Sequence, residues 1–202
     1  MEILGDIAVV MVAFVVGSLP TGYLVARASG LDIRTVGSGN IGATNVVRSL
    51  SPWAGRAVFL IDLLKGLLPT LFAPALMPNL NRSTAQMIAC FGVILGHNYT
   101  PWLGFKGGKG FAASMGGFLA ICAPAQLISA AAWVAVFFLW RYVSLASIIS
   151  ATLLPVLVLM FKRDWTIAGF AVLVSVVTLL RHRSNFARLR TGTEYRFNRA
   201  RT

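Results

Sequence analysis

Residues 143–161 read VSLASIISATLLPVLVLMF, a run without one ionisable side chain, with Arg141 just before it and Lys162 and Arg163 just after. A bilayer interior offers no water to backbone amides, so a run of this length and composition predicts a helix that satisfies its own N–H and C=O groups. Working outward, comparable runs occupy 7–26, 54–76, 84–97, 110–123, 125–140 and 165–180. The chain is 57% hydrophobic and only 12% charged, whereas a soluble domain carries about 25% charged residues. The expected fold is therefore all-α: a polytopic integral membrane helical bundle of about seven transmembrane helices, forming a single domain over 1–202. Runs 84–97 and 110–123 are short for a full crossing and are expected to be tilted or re-entrant. Pro20, Pro69 and Pro155 predict kinks, not breaks, because neighbouring helices can re-satisfy the carbonyls that proline frees.

Orientation follows from the basic residues. With seven spans, one face collects Arg27, Arg34, Arg48, Lys106, Lys109, Arg141 and the tail residues Arg181, Arg183, Arg188, Arg190, Arg196, Arg199 and Arg201. The opposite face has only Arg82, Lys162 and Arg163, while Arg56 and Lys65 fall within the second run. The positive-inside rule makes the first face cytoplasmic, with the N-terminus extracytoplasmic and the C-terminus cytoplasmic. The first run follows acidic residues (Glu2, Asp6), unlike a cleavable signal, and is expected to be retained. In this setting the net charge of +12 points to anionic lipid headgroups and anionic substrates, and no nucleic-acid partner is expected. Cys90 and Cys122 both lie in apolar runs and are expected to be buried and free.

The chemistry-bearing residues gather on the basic face. The first loop reads Gly37-Ser-Gly-Asn-Ile-Gly-Ala-Thr-Asn-Val-Val-Arg48. Its glycines permit left-handed backbone and close approach, so successive N–H groups can form an anion-binding nest. Ser38, Asn40, Thr44 and Asn45 add donors, and Arg48 adds a forked cation suited to phosphate. Gly37, Gly39 and Gly42 also fit a dinucleotide fingerprint, but no strand or βαβ unit precedes them, and that reading is rejected. A second loop, Gly104-Phe-Lys-Gly-Gly-Lys-Gly110, opens the fourth run. It lacks the P-loop spacing, yet Lys106, Gly107, Gly108 and Lys109 precede a helix N-terminus, a favourable place for an anion. A third cluster is Arg141-Tyr-Val-Ser-Leu-Ala-Ser147, in which Ser144 and Ser147 share a helix face whether for packing or for binding. The fourth runs from Arg181 to Glu194; His182 and Asn185, three apart, share a face there, and Glu194 is the one acid of a basic tail. Asp62 and Lys65 are expected to pair inside the membrane beneath the site. His97 ends the third run, as an interfacial anchor or as a member of the site. No metal-ligand spacing, cofactor motif or Ser-His-Asp context is present.

Taken together, residues 37–48, Gly-His-Asn-Tyr at 96–99, Gly-Phe-Lys-Gly-Gly-Lys-Gly at 104–110, Arg-Tyr-Val-Ser-Leu-Ala-Ser at 141–147 and Arg-His-Arg-x-Asn at 181–185 resemble the bacterial PlsY family of acyl-phosphate:glycerol-3-phosphate acyltransferases. The likeness runs along the whole chain in matching order. It implies seven spans and a cytoplasmic active site in the bacterial inner membrane. The implied reaction is the first acylation of phospholipid biosynthesis: a fatty acyl group passes from acyl phosphate to the 1-hydroxyl of glycerol 3-phosphate, giving lysophosphatidic acid and phosphate without a cofactor. By resemblance, Ser38, Gly39, Asn40, Gly42, Thr44 and Asn45 cradle the acyl phosphate. Arg48, Lys109, Ser147, His182 and Asn185 surround glycerol 3-phosphate. Lys106, His97 and Glu194 join them, and the acyl-phosphate-producing enzyme is an admissible partner. The His-x4-Asp pattern of acyl-CoA-dependent acyltransferases is absent, since Trp102 and Ala187 stand where its aspartate would be. Either His182 or the substrate's own phosphate would take the hydroxyl proton. A transporter of organic phosphates is the rival, but it would want ionisable groups along a transmembrane path, and here only Asp62 and Lys65 qualify.

Overall fold

A computed structural model describes residues 2–197; Arg199 and Arg201 of the basic tail lie outside them. Nine α-helices follow in order among the described residues, with no strand: α1 (Glu2–Ser18), α2 (Thr21–Ala28), α3 (Ala43–Ser49), α4 (Pro52–Leu76), α5 (Arg82–Asn98), α6 (Phe111–Trp140), α7 (Val143–Lys162), α8 (Trp165–Arg181) and α9 (Arg183–Arg190). Two compact units divide the chain, Met1–Ile121 and Cys122–Thr202.

Four segments are long and apolar enough to cross a membrane: Ile3–Ala28, Pro52–Leu76, Phe111–Trp140 and Val143–Lys162. The pair α8 and α9, bent by 59°, makes a fifth if it counts as one span. Each of the seven expected runs is helical over most of its length, but they are not seven equal spans. Helices α5 and α8 have 17 residues each, about 25 Å at 1.5 Å per residue, short of a hydrocarbon core of about 30 Å. Runs 110–123 and 125–140 are joined in α6, whose path breaks at Cys122 (φ −151°, ψ 78°).

The prolines explain much of this. Pro124 has no N–H for the carbonyl of Ala120, and that carbonyl accepts from Gln86 Nε2 on α5 at 3.2 Å. Pro155 likewise frees the carbonyl of Ala151, which accepts from Ser175 Oγ on α8 at 2.6 Å. A buried polar side chain thus satisfies each orphaned acceptor within its own unit. Pro20 departs from the expected kink: it interrupts the helix at Leu19 and Pro20, and α2 restarts at Thr21.

In the first unit, α1 and α4 pack on α5, and α3 on α4. Lipid tails are as apolar as leucine, so close backbone packing must hold such helices together. A Cβ at Gly96 would overlap the Phe14 carbonyl of α1, and one at Gly66 would overlap the Ala113 carbonyl of α6. In the second unit, α7 packs on α8. Ser129 and Ser150 exchange hydrogen bonds there, each hydroxyl reaching the other residue's carbonyl at 2.9 and 3.0 Å. Large apolar side chains such as Met11, Phe72, Leu139 and Met160 face outward, as a lipid-facing surface requires. Both cysteines are buried and free.

Candidate active site

The first loop is built around one side chain. Asn45, 1% exposed on α3, accepts from Ser38 N at 2.9 Å and donates to the carbonyls of Ile33 and Val36, both at 3.1 Å. Its carboxamide therefore pins the loop from inside, and the donor role toward a ligand passes to its neighbours. Asn40 Oδ1 accepts from Gly42 N at 2.8 Å, closing a local turn that leads into α3. Gly37 and Gly39 adopt φ of 58° and 67°; at Gly37 a Cβ would also overlap Asn45 Oδ1. Ser38 and Gly39 are left exposed, with Asn40, Gly42, Thr44 and Arg48 half-buried. A Gly-rich turn held by a buried amide is a preorganised set of donors, not a floppy connector. Arg48 lies in the last turn of α3. Just upstream, Arg34 grips Asp32 with two hydrogen bonds of 2.9 and 2.7 Å, holding that exposed carboxyl down at about 2.

Asn45→Ala removes all three bonds. Asn45→Asp keeps the acceptor for Ser38 but sets a carboxylate against two carbonyls, so it should do at least as much damage. Each change should cost the loop about 1–3 kcal/mol, read as faster amide exchange over residues 36–42. Unchanged protection would show that the loop is held by something else.

The second loop caps α6. Thr100 Oγ1 donates to Ser18 O at 2.6 Å and Trp102 Nε1 donates to Ser18 Oγ at 2.9 Å, tying the loop to the end of α1. Gly104, Phe105 and Gly110 have positive φ, and α6 begins at Phe111 with Ser114 N donating to the Gly110 carbonyl at 2.7 Å. Lys106 is exposed, Gly107 and Lys109 half-buried, and Gly108 buried. Two lysines ahead of a helix N-terminus oppose its dipole, and an anion between them would reverse the sign of that interaction. His97 is 6% exposed, so it is no interfacial anchor. Asn98, to which the sequence by itself gives no role, is fully buried, and neither end of its carboxamide has a hydrogen-bond partner. It lies beneath Gly110, where a Cβ would stand 2.8 Å from its Oδ1. The signal for it lay in the Gly-His-Asn-Tyr motif.

The second unit holds the rest. His182 sits at the junction of α8 and α9, 4% exposed, with Nδ1 2.8 Å from the Thr178 carbonyl. A carbonyl only accepts, so Nδ1 carries the hydrogen, and in the neutral ring Nε2 is the basic nitrogen. A backbone oxygen thus orients this histidine in the way a carboxylate does elsewhere. Asn185, on α9 and 5% exposed, donates to Glu194 Oε1 at 2.8 Å, and Arg188 Nε donates to Oε2 at 2.7 Å. Burial pushes Glu194 up, but bonds from Asn185 and Arg188, the nearby Ser144 hydroxyl and the Arg188 charge outweigh it and hold the carboxyl below its ordinary value. Glu194 therefore locks the tail onto α9 and aims Asn185; nothing local in the sequence marks Arg188 as its partner. Ser147 Oγ donates to the Val143 carbonyl at 2.9 Å and accepts from Trp133 Nε1 at 3.1 Å, an anchoring within α7 and α6 that packing alone would also want. Ser144 is buried beside it at 5% exposure.

The expected residues thus form two sets. Ser38, Gly39, Asn40, Gly42, Thr44, Asn45, Arg48, His97, Lys106, Gly107, Gly108 and Lys109 belong to the first unit; Ser144, Ser147, His182, Asn185 and Glu194 belong to the second. The first set is a donor-rich, basic surface over the buried supports Asn45 and His97, and the second is a cluster of buried polar side chains beside the half-exposed Arg188. Hydrogen-bond donors with Lys and Arg at hand suit binding and charge neutralisation of phosphate esters.

Comparison with known proteins agrees. The glycerol-3-phosphate acyltransferase family matches residues 7–192. A glycerol-3-phosphate acyltransferase of Geobacter sulfurreducens is 45% identical, covering 96% of this chain and 98% of its own. One from Geotalea daltonii is 43% identical with the same coverage. Among solved structures, the glycerol 3-phosphate form of PlsY, an integral membrane glycerol 3-phosphate acyltransferase, superposes with a TM-score of 0.90 at 35% identity, covering 96% of each chain. Its lysophosphatidic acid form gives 0.87 at 34% identity, with 96% of this chain and 95% of that one covered.

Proposed function

The chain belongs to the glycerol-3-phosphate acyltransferase family, and from that premise we propose that it transfers a fatty acyl group from acyl phosphate to the 1-hydroxyl of glycerol 3-phosphate. The acceptor oxygen attacks the acyl carbonyl, the bond to the phosphate oxygen breaks, and lysophosphatidic acid and inorganic phosphate leave. An acyl phosphate is a mixed anhydride with a good leaving group. The protein's tasks are then to place two anions and to neutralise charge as the carbonyl becomes tetrahedral.

The Gly37–Arg48 loop, with Ser38, Gly39, Asn40, Gly42 and Thr44 around the plug Asn45, holds the acyl-phosphate head. Arg48, Lys109, Ser147, His182 and Asn185 hold glycerol 3-phosphate, with Lys106, Gly107, Gly108, Ser144 and Glu194 in support. The substrate's phosphate takes the hydroxyl proton, and His182 Nε2 accepts a hydrogen bond from the acceptor substrate. Residues 1–202 act as one membrane domain of seven spans in the bacterial inner membrane, the N-terminus outside and the active face in the cytoplasm. The distribution of basic residues supports that orientation. The observation that carries the whole reading is the ordered set of motifs, from Gly37–Arg48 through Gly104–Gly110 to Arg181–Glu194, in a family whose name specifies the acceptor.

The test incubates the purified protein in detergent with glycerol 3-phosphate and either acyl phosphate or acyl-CoA. Lysophosphatidic acid from acyl phosphate alone is expected. Product from acyl-CoA would overturn the donor assignment, and no product from either, with folded protein, would overturn the reaction.

A further inference from the structure

Helix α4 buries a carboxylate and an amine that the reaction described above does not use. Asp62 is 2% exposed and Lys65 6%. Lys65 Nζ lies 2.8 Å from Asp62 Oδ1 and donates to the Leu19 carbonyl at 2.9 Å, at the break between α1 and α2. That pair is neutral in itself, which is what burial demands. A third ionisable group nevertheless faces it. His97 Nδ1, from α5, stands 3.9 Å from the same Asp62 oxygen.

The other edge of the imidazole meets the lysine loop. A Cβ at Gly108 would overlap His97 Nε2, so only glycine lets the loop backbone come this close. The same stretch is docked on the end of α5 by Gly108 N donating to the His97 carbonyl at 3.0 Å and Gly107 N donating to the Asn98 carbonyl at 3.2 Å. His97 therefore stands between a buried carboxylate and the backbone that carries Lys109. A negative charge beside Nδ1 favours the hydrogen on that nitrogen, which leaves the Nε2 lone pair toward the loop.

We propose that Asp62 is a positioning residue: it sets His97 as the Nδ1–H tautomer, and the Nε2 acceptor in turn fixes the Gly107–Lys109 turn and the place of the Lys109 ammonium. This rests on the reading that Lys109 binds glycerol 3-phosphate.

Steady-state kinetics on detergent-purified full-length variants test it. Asp62→Asn should raise KM for glycerol 3-phosphate about tenfold with a smaller change in kcat. His97→Gln can place an amide oxygen near the Nε2 position and should retain more activity than His97→Asn, which reaches only the Nδ1 position. In the His97→Gln background Asp62 has no tautomer left to set, so adding Asp62→Asn should change KM little. Independent losses in that double variant, a wild-type KM in Asp62→Asn, or equal activity of the two His97 variants would each overturn the proposal. Asp62→Asn alone leaves Lys65 without its counter-ion, so Asp62→Asn/Lys65→Met serves as the folding control. A wild-type KM in it would mean that Asp62 only neutralises Lys65. The His97 comparison leaves the Asp62–Lys65 pair intact and decides the matter if both Asp62 variants misfold. Wild-type protein that makes no lysophosphatidic acid would instead defeat the underlying reaction, a distinct result.

Discussion

His182→Ala is expected to lower kcat/KM about 10- to 100-fold, with most of the loss in KM for glycerol 3-phosphate. The magnitude is that of one hydrogen bond to a charged or charge-developing group, about 1.5–3 kcal/mol. The direction follows from the Thr178 carbonyl, which holds the hydrogen on Nδ1 and leaves Nε2 as an acceptor at the α8–α9 junction. A histidine serving as general base would behave differently: kcat itself would fall about 10²- to 10⁴-fold with KM little changed. The kcat and KM of the variant, each measured at saturating acyl phosphate, separate the two. A collapse of kcat alone would move the proton from the substrate phosphate to His182. An unchanged kcat/KM would remove His182 from the site.

Glu194→Ala should cost about 3 kcal/mol of stability, the low end of what breaking a buried ion pair costs, because the Arg188 side chain remains 39% exposed and can rehydrate. Asn185 would lose its acceptor and its aim, so activity should fall with stability. The pH dependence has a defined sign. Folding depresses the Glu194 carboxyl below its ordinary value, so its contribution is complete above the ordinary glutamate range and is lost as pH falls through the depressed value. Glu194→Gln should flatten that acid limb while keeping the residue's shape. Thermal unfolding in detergent from pH 7 down to pH 3 reads both effects. A wild-type acid limb in Glu194→Gln would mean that another carboxyl, such as Asp32, governs it.

Much of the molecule is legible in the sequence, and the reasons are local. Runs such as 143–161 must be helices because nothing else satisfies a backbone in hydrocarbon, and the helix α7 (Val143–Lys162) follows. Loop 37–48 is marked by its glycines, and Gly37 and Gly39 do take left-handed φ. The Asp62–Lys65 pair follows from a spacing of three on one helix face. Side-chain roles were less legible wherever a residue's partner is remote in sequence. Asn45 has the composition of a ligand donor but turns inward as the loop's plug, and Arg188 gained its meaning only when the tail folded back to place Glu194 beside it.

Sequence alone determined the all-helical membrane character and the family-bearing motifs, because periodicity, hydropathy and glycine content act over a few neighbouring residues. Only the tertiary structure decided which distant group completes each one. Gln86 satisfies the carbonyl freed by Pro124 and Ser175 the one freed by Pro155, while Asp62 meets His97 across two helices. Those pairings depend on how helices pack, and packing selects partners by shape and by unmet hydrogen bonds that no local pattern records.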